Sequence, residues 1–372
     1  MTHAQLWRRI AGGTTLAVLA AACSETTAPK LTDPAATAAA VRAADSALSS
    51  PVFKSFSAIG AKLTPVAASA IFGSASLFNA TRPDLGAPQP FALTVERATL
   101  LESLVPQLSS PNAAGIPRID SIAGAVFQWD AANHRYYKAA TTGCTSPNGP
   151  CIRFILYAID PLTDEPATPL TPVGTADFID RSAGNTTSLQ ILVEGNGGAP
   201  TYVDYTVTVT PGVDSFTASA TGTVSNGLAG DANKTLTFSV TFAASPVGVS
   251  ATATFTLNNP AVTVTLSESL QVSGQDTTIT VHFGFTRPGE TITLDGTVTI
   301  HQGVTTVAVT VKVNGGTFAN ITGPFSNPTI THPNGQPLTA DELEALGTLF
   351  GAAEDFSNHL GDLFDPVRAL FL

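Results

Sequence analysis

The sequence predicts a mainly β fold: a long antiparallel meander forming a strongly curved sheet or incomplete barrel, with helices at both ends of the chain covering its apolar face. Three observations predict it. Apolar residues recur at every second position through roughly 200 residues from about Ile122. Pairs such as Pro211-Gly212, Asn226-Gly227, Pro288-Gly289 and Gln302-Gly303 interrupt that alternation at short intervals, as hairpin turns do. The segments on either side change to helical spacing with one apolar stripe. Two stacked sheets in a β-sandwich satisfy the same pattern and stand as the alternative.

The chain opens on a leader. Arg8 and Arg9 precede an uncharged stretch from Ile10 to Ala22, shorter than the about 20 apolar residues of a membrane-spanning helix. The run Leu19, Ala20, Ala21, Ala22, Cys23 resembles the lipobox of bacterial lipoproteins, with Ala20 where that family prefers leucine. The resemblance implies that residues 1–22 are a signal peptide, that Cys23 is lipidated, and that residues 23–32 are a polar tether. It also implies export and lipid anchoring in the bacterial envelope, and Ser24 after the cysteine points to the outer membrane. An ordinary secreted protein cut after Ala22 is the alternative.

Residues 33–120 read as a helical N-terminal region. Asp33-Pro34 offers a cap and a first-turn proline, and Val41, Ala44, Ala47 and Leu48 fall on one side. Pro51 interrupts, and a second piece carries Phe53, Phe56 and Ile59. The stretch from Pro65 to Pro90 reads as irregular, and Leu100, Leu101, Leu104, Val105 and Leu108 mark an amphipathic helix over Val95 to Leu108.

Residues 121–323 hold the meander. A hairpin turns at Asp130-Ala131-Ala132-Asn133, and Cys151 to Ile159 is the most hydrophobic run, expected as a central strand. Clean alternation then appears in Val203, Tyr205, Val207 and Val209, in Leu236, Phe238, Val240 and Phe242, and in Val262, Val264 and Leu266. It continues to Val307, Val309, Val311 and Val313, with threonines facing the other way. Residues 324–372 read as a proline-rich linker and an amphipathic helix. Thr339 caps it, Asp341, Glu342 and Glu344 stand in its first turn, and an apolar stripe runs from Leu343 to Phe364. Residues 33–372 are expected to form one domain.

Loss of the leader removes Arg8 and Arg9 and no acid, moving the net charge from −11 to −13. With no Lys/Arg cluster, nucleic acid is not expected as a partner. Cys144 and Cys151 flank Thr-Ser-Pro-Asn-Gly-Pro, which turns the chain back on itself, so they are expected to form a disulfide. No histidines are spaced as a metal motif, and no nucleophile elbow or phosphate loop is present, so no catalytic residues, metal or cofactor are expected. Asp160, Asp164, Glu165, Asp177 and Asp180 cluster loosely in sequence, and Trp129, Tyr136, Tyr137 and Tyr157 concentrate aromatics near the first hairpin.

The expected role is a lipid-anchored envelope protein that holds an apolar ligand or lipid between sheet and helices. In element order it looks like the carriers and receptors of bacterial lipoprotein trafficking. The alternative is a non-catalytic structural or interaction protein with a packed core, whose partner is another envelope protein. An enzyme is the third and weakest reading.

Overall fold

A computed structural model describes residues 31, 33–63, 119, 122–213, 215–245, 248–273, 276–348, 363–364 and 366–367. The leader with Cys23, the tether up to residue 30, the expected helix over Val95 to Leu108 and residues 349–362 of the final stripe lie outside the described residues.

The N-terminal helices form where capping chemistry and apolar spacing coincide. Asp33 Oδ1 accepts the Ala36 N–H at 2.8 Å and starts α1 (Pro34–Asp45). A short 3-10 turn over Ser46–Leu48 breaks the run. Ser50 then caps α2 (Pro51–Leu63) by accepting the Phe53 N–H at 3.0 Å. Val52, Phe53, Phe56 and Ile59 are buried, each contributing about 2 kcal/mol of apolar transfer.

The strands follow as β1 (Val126–Asp130), β2 (Arg135–Ala140), β3 (Cys151–Tyr157), β4 (Ile159–Asp160), β5 (Glu165–Pro166), β6 (Pro172–Asp180), β7 (Thr187–Gly195) and β8 (Thr201–Pro211). Then come β9 (Phe216–Ser225), β10 (Thr235–Ser245), β11 (Gly248–Leu257), β12 (Val262–Ser273), β13 (Asp276–Arg287), β14 (Glu290–His301), β15 (Val304–Val313), β16 (Gly316–Pro324) and β17 (Thr329–Thr331). Apart from the small β4–β5 hairpin, they make one 15-stranded sheet, ordered β17 through β6 in sequence and then β3, β1, β2. Among the described residues the strands make one large sheet rather than the two stacked sheets of the sandwich alternative, and its order starts at β17 and ends at β2 without closing into a barrel.

From β6 to β17 the meander is antiparallel, as expected, and its tight turns use left-handed backbone at Asn314 and Gly315 (φ 50° and 81°). The start differs. β1 pairs with β2 on one side and lies parallel to β3 on the other, so the sheet is mixed. The loop between Cys144 and Cys151 brings β3 in beside β1, where Phe127 stacks on Phe154 with centroids 4.8 Å apart. β6, β7, β9 and β16 add strands that the apolar alternation did not single out. β17 lies inside the stretch expected to be a linker, pairing Ile330 with Ile321.

One face of the sheet, here the inner face, carries the helices. Phe56 meets Phe178 of β6 with centroids 6.3 Å apart, and Ser55 Oγ accepts the Tyr157 N–H at 3.0 Å. Thr37 of α1 instead donates to Glu290 of β14 at 2.5 Å. β6 and β14 are separated by eight strand spacings, about 38 Å along the sheet, whereas the 19-residue step from Thr37 to Phe56, laid end to end as two helical pieces, a 3-10 turn and a short extended link, spans no more than about 36 Å. The sheet curls around the helices to let one short segment reach both. At the other end of the chain, Thr339 and Glu342 form a reciprocal capping box (2.9 and 3.3 Å) that starts α3, residues 340–348. Leu346, Leu363, Phe364 and Val367 are buried. The Tyr205 hydroxyl donates to the Leu363 carbonyl at 2.7 Å, and the Phe364 ring packs against Tyr205 and Phe238.

Candidate functional site

The inner face is not uniformly sealed. Tyr205, Phe238, Phe255, Val264, Phe285 and Ile292 belong to one row that crosses seven strands, with Gly222 of β9 between the first two, and are buried, with Phe364 over Tyr205 and Phe238. Further along the strands, toward the β12–β13 turn, Val209, Val240, Val249, Ala251, Ala253 and Phe283 are only half-buried on the same face. Phe242, Ala218 and Ala244 pack there as a separate small cluster. This end of the inner face is an apolar patch with part of its surface accessible.

A carboxyl stands in the middle of it. Along β12 the inward positions are Val262, Val264, Leu266, Glu268 and Leu270, so the period that buries four aliphatic side chains also turns Glu268 inward. Register places Ala251 on one side of it and Val281 on the other, and the row continues through Phe242 and Ala218 one way and Gly296 and Val309 the other. From Val209 to Val309, every other inward residue of that row is apolar or glycine. Gly296 is required here, since a Cβ would fall 2.4 Å from Val309 Cγ2 and 2.7 Å from the Ala308 carbonyl oxygen.

The residue as a whole keeps some accessible surface, but Glu268 Oε1 is closed off from solvent and has no hydrogen-bond partner. Burial pushes its pKa up from 4.5 to about 8, so the group is mostly protonated at neutral pH. Apart from Glu268, the inward residues of β11, β12 and β13 that surround it, from Val249 to Phe283, carry no titratable group. His282, Asp295, Asp276 and His301 belong to the outer face. The nearest charged pair on the inner face of those strands is Arg287 with Glu290 (2.9 Å), six residues along β13 from Val281 and so about 20 Å away.

The residues singled out from the sequence are found elsewhere. Cys144 and Cys151 form the expected disulfide, packed with Ile179 and Leu192 on the outer face. The five acids do not form one group: Asp160 stands opposite Glu165 in the β4–β5 hairpin, whose turn holds Asp164, while Glu165 meets His134 at 2.5 Å, Asp177 takes a two-pronged pair from Arg153 at 2.6 and 2.5 Å, and Asp180 accepts the Ser182 N–H at 2.8 Å. No group of three metal-ligating side chains occurs among the described residues. Trp129 and Tyr157 are buried, and Trp129 and Tyr136 pack edge to face, so the aromatics are largely core, with Tyr137 exposed.

Each described histidine meets a carboxylate: His134 with Glu165, His282 with Asp295, His301 with Asp276 and His332 with Glu342. On the outer face Ser267, His282 and Asp295 share a row, with His282 Nδ1 2.5 Å from Asp295 Oδ1. This has the residue types of a hydrolytic triad but lies in the interior of a sheet, where backbone N–H groups are bound into the ladder on both sides. Such a surface supplies no free donors for an oxyanion.

Glu268 was missed by sequence reasoning, although a signal existed: one charged residue in phase with the aliphatic side of a strand. No protein-family model, curated protein or solved structure matches the chain. The candidate site therefore rests on its own geometry, and among the described residues no helix is long and apolar enough to cross a membrane.

Proposed function

We propose that this is an exported protein, anchored by lipid on Cys23 to the outer membrane of a bacterial envelope, which holds an apolar ligand or lipid against the inner face of its sheet. The observation that supports the ligand is the half-open apolar patch formed by Val209, Val240, Val249, Ala251, Ala253 and Phe283. Apolar surface left accessible inside a fold costs about 25 cal/mol for each Å², a cost that an apolar guest would remove. The half-buried inner-face residues are valines, alanines and one phenylalanine, and among the described residues helical segments rather than a second sheet lie on that face.

Native mass spectrometry of the mature protein, with displacement of a fluorescent fatty acid, tests this reading. Stoichiometric co-purified lipid or saturable probe binding supports it, and neither appearing would refute it. For the anchor, the expected result is a mature N-terminus at Cys23 carrying acyl mass, and loss of membrane fractionation in Cys23→Ser.

A second reading, a structural or interaction protein with permanently docked helices, is favoured by two buried ties. These are the Tyr205 hydroxyl on the Leu363 carbonyl and the junction of Thr37, Arg287 and Glu290. Both lie away from the Glu268 patch, so they fix the cover at its other end. A binding-negative protein with intact stability would decide for this reading.

A further inference from the structure

We infer that Glu268 is the polar anchor of the ligand patch and that the ligand it selects is an apolar molecule carrying an amine. This rests on the apolar-ligand reading and adds the chemistry of the guest's head group. Three features of the structure carry it. The Glu268 side chain points to the ligand-facing side of the sheet, in a row whose other residues from Val209 to Val309 are apolar or glycine. Its Oε1 is sealed from water and bonded to nothing, a state that costs about 1–3 kcal/mol and that a donor on a bound molecule would relieve. Its neighbours on this face include Ala251 in its row and Ala253 one row away, small side chains that border the half-buried Val240 and Phe283, on which the chain of the guest would lie.

The sign of the head group follows from charge. Among the described residues no Lys or Arg faces Glu268, and the chain carries 28 acidic against 17 basic residues, so an anionic head gains nothing there. A neutral donor would satisfy the oxygen but not its charge. An ammonium supplies both a hydrogen bond and the missing counter-charge, and in a region of low polarity the pair strengthens. Burial that holds the free carboxyl protonated near neutrality gives the interaction a pH signature: an ammonium binds the ionised form, so its affinity rises with pH, about tenfold per unit, until Glu268 is ionised without the ligand.

The test is titration calorimetry of the full mature chain with dodecylamine, dodecanol and dodecanoate, each below its micelle concentration, from pH 6 to 9, on wild type and Glu268→Gln. The expected result at pH 8.5 is dodecylamine binding at least about tenfold tighter than dodecanol, with that preference lost in Glu268→Gln while dodecanol affinity is kept. Wild type alone supplies a second readout, since the amine preference over dodecanol should grow between pH 6 and 8. Equal binding of all three probes, or an amine preference that survives Glu268→Gln, overturns the inference and leaves the apolar-ligand reading standing. Binding of none of the three overturns both.

Discussion

Replacing Glu268 by leucine should stabilise the protein, and by an amount that depends on pH in a defined way. The carboxyl titrates at 4.5 when exposed and at about 8 in the fold. Between those values the folded state holds a proton that the unfolded chain has released, so stability falls as pH rises through this window. Each unit is worth about 1.4 kcal/mol, giving a ceiling of about 5 kcal/mol above pH 8. Because the residue keeps some accessible surface, the expected penalty lies between about 2 and 5 kcal/mol. Urea unfolding of wild type and Glu268→Leu at pH 4.5, 6, 7 and 8.5 reads it directly. The gap between the two should be smallest at pH 4.5 and widen steadily to pH 8. Parallel stability curves would refute the claim that this carboxyl is buried without a partner.

Four further outcomes are expected. Arg153→Met leaves Asp177 buried without its guanidinium, whose own pKa that carboxylate raises, and should cost about 2 kcal/mol in chemical denaturation; adding Asp177→Leu should recover most of it. Cys144→Ser with Cys151→Ser opens a loop with a sequence separation of 7, for which chain entropy gives about 2 kcal/mol, seen as a lower thermal midpoint in non-reducing buffer. Gly222→Val would set a Cβ 2.3 Å from Tyr205 Cβ and 2.2 Å from the Asp204 carbonyl oxygen, so it should destabilise by about 3 kcal/mol or prevent folding, measured as yield and midpoint. Ala253→Phe fills the half-open patch and should weaken fatty-acid probe binding at least about tenfold with stability within about 1 kcal/mol of wild type.

The strands most legible in the sequence were those whose inward positions are branched or aromatic. β8, β10 and β12 to β15 announce themselves because Val, Ile and Phe alternate with threonine. β9 does not, since its inward residues include Ala218, Ala220 and Gly222, and at Gly222 smallness is imposed by the close approach of the Tyr205 Cα and Cβ and the Asp204 carbonyl oxygen, a constraint visible only once the register is known. The parallel contact of β1 with β3 rests on two register pairs and one ring stack, for which local sequence carries no signature. At the helix ends, local chemistry sufficed: Asp33, Thr339 and Glu342 make the capping bonds their spacing suggests. The candidate site fared worse than the fold. Glu268 stands in phase with Val264 and Leu266, but its isolation depends on Ala251 and Val281 from neighbouring strands, and pairing across a sheet is a tertiary fact.

The odd placement of the first hairpin has a consequence for how the molecule is assembled. From Pro172 to Thr331 each strand joins the one made just before it, so the growing edge always has its next partner close at hand and little entropy is lost in closing the intervening loop. The β1–β2 ribbon has no such neighbour when it is synthesised. It docks only after β3 exists, which makes it the one part of the sheet whose position is decided by residues that leave the ribosome later than itself.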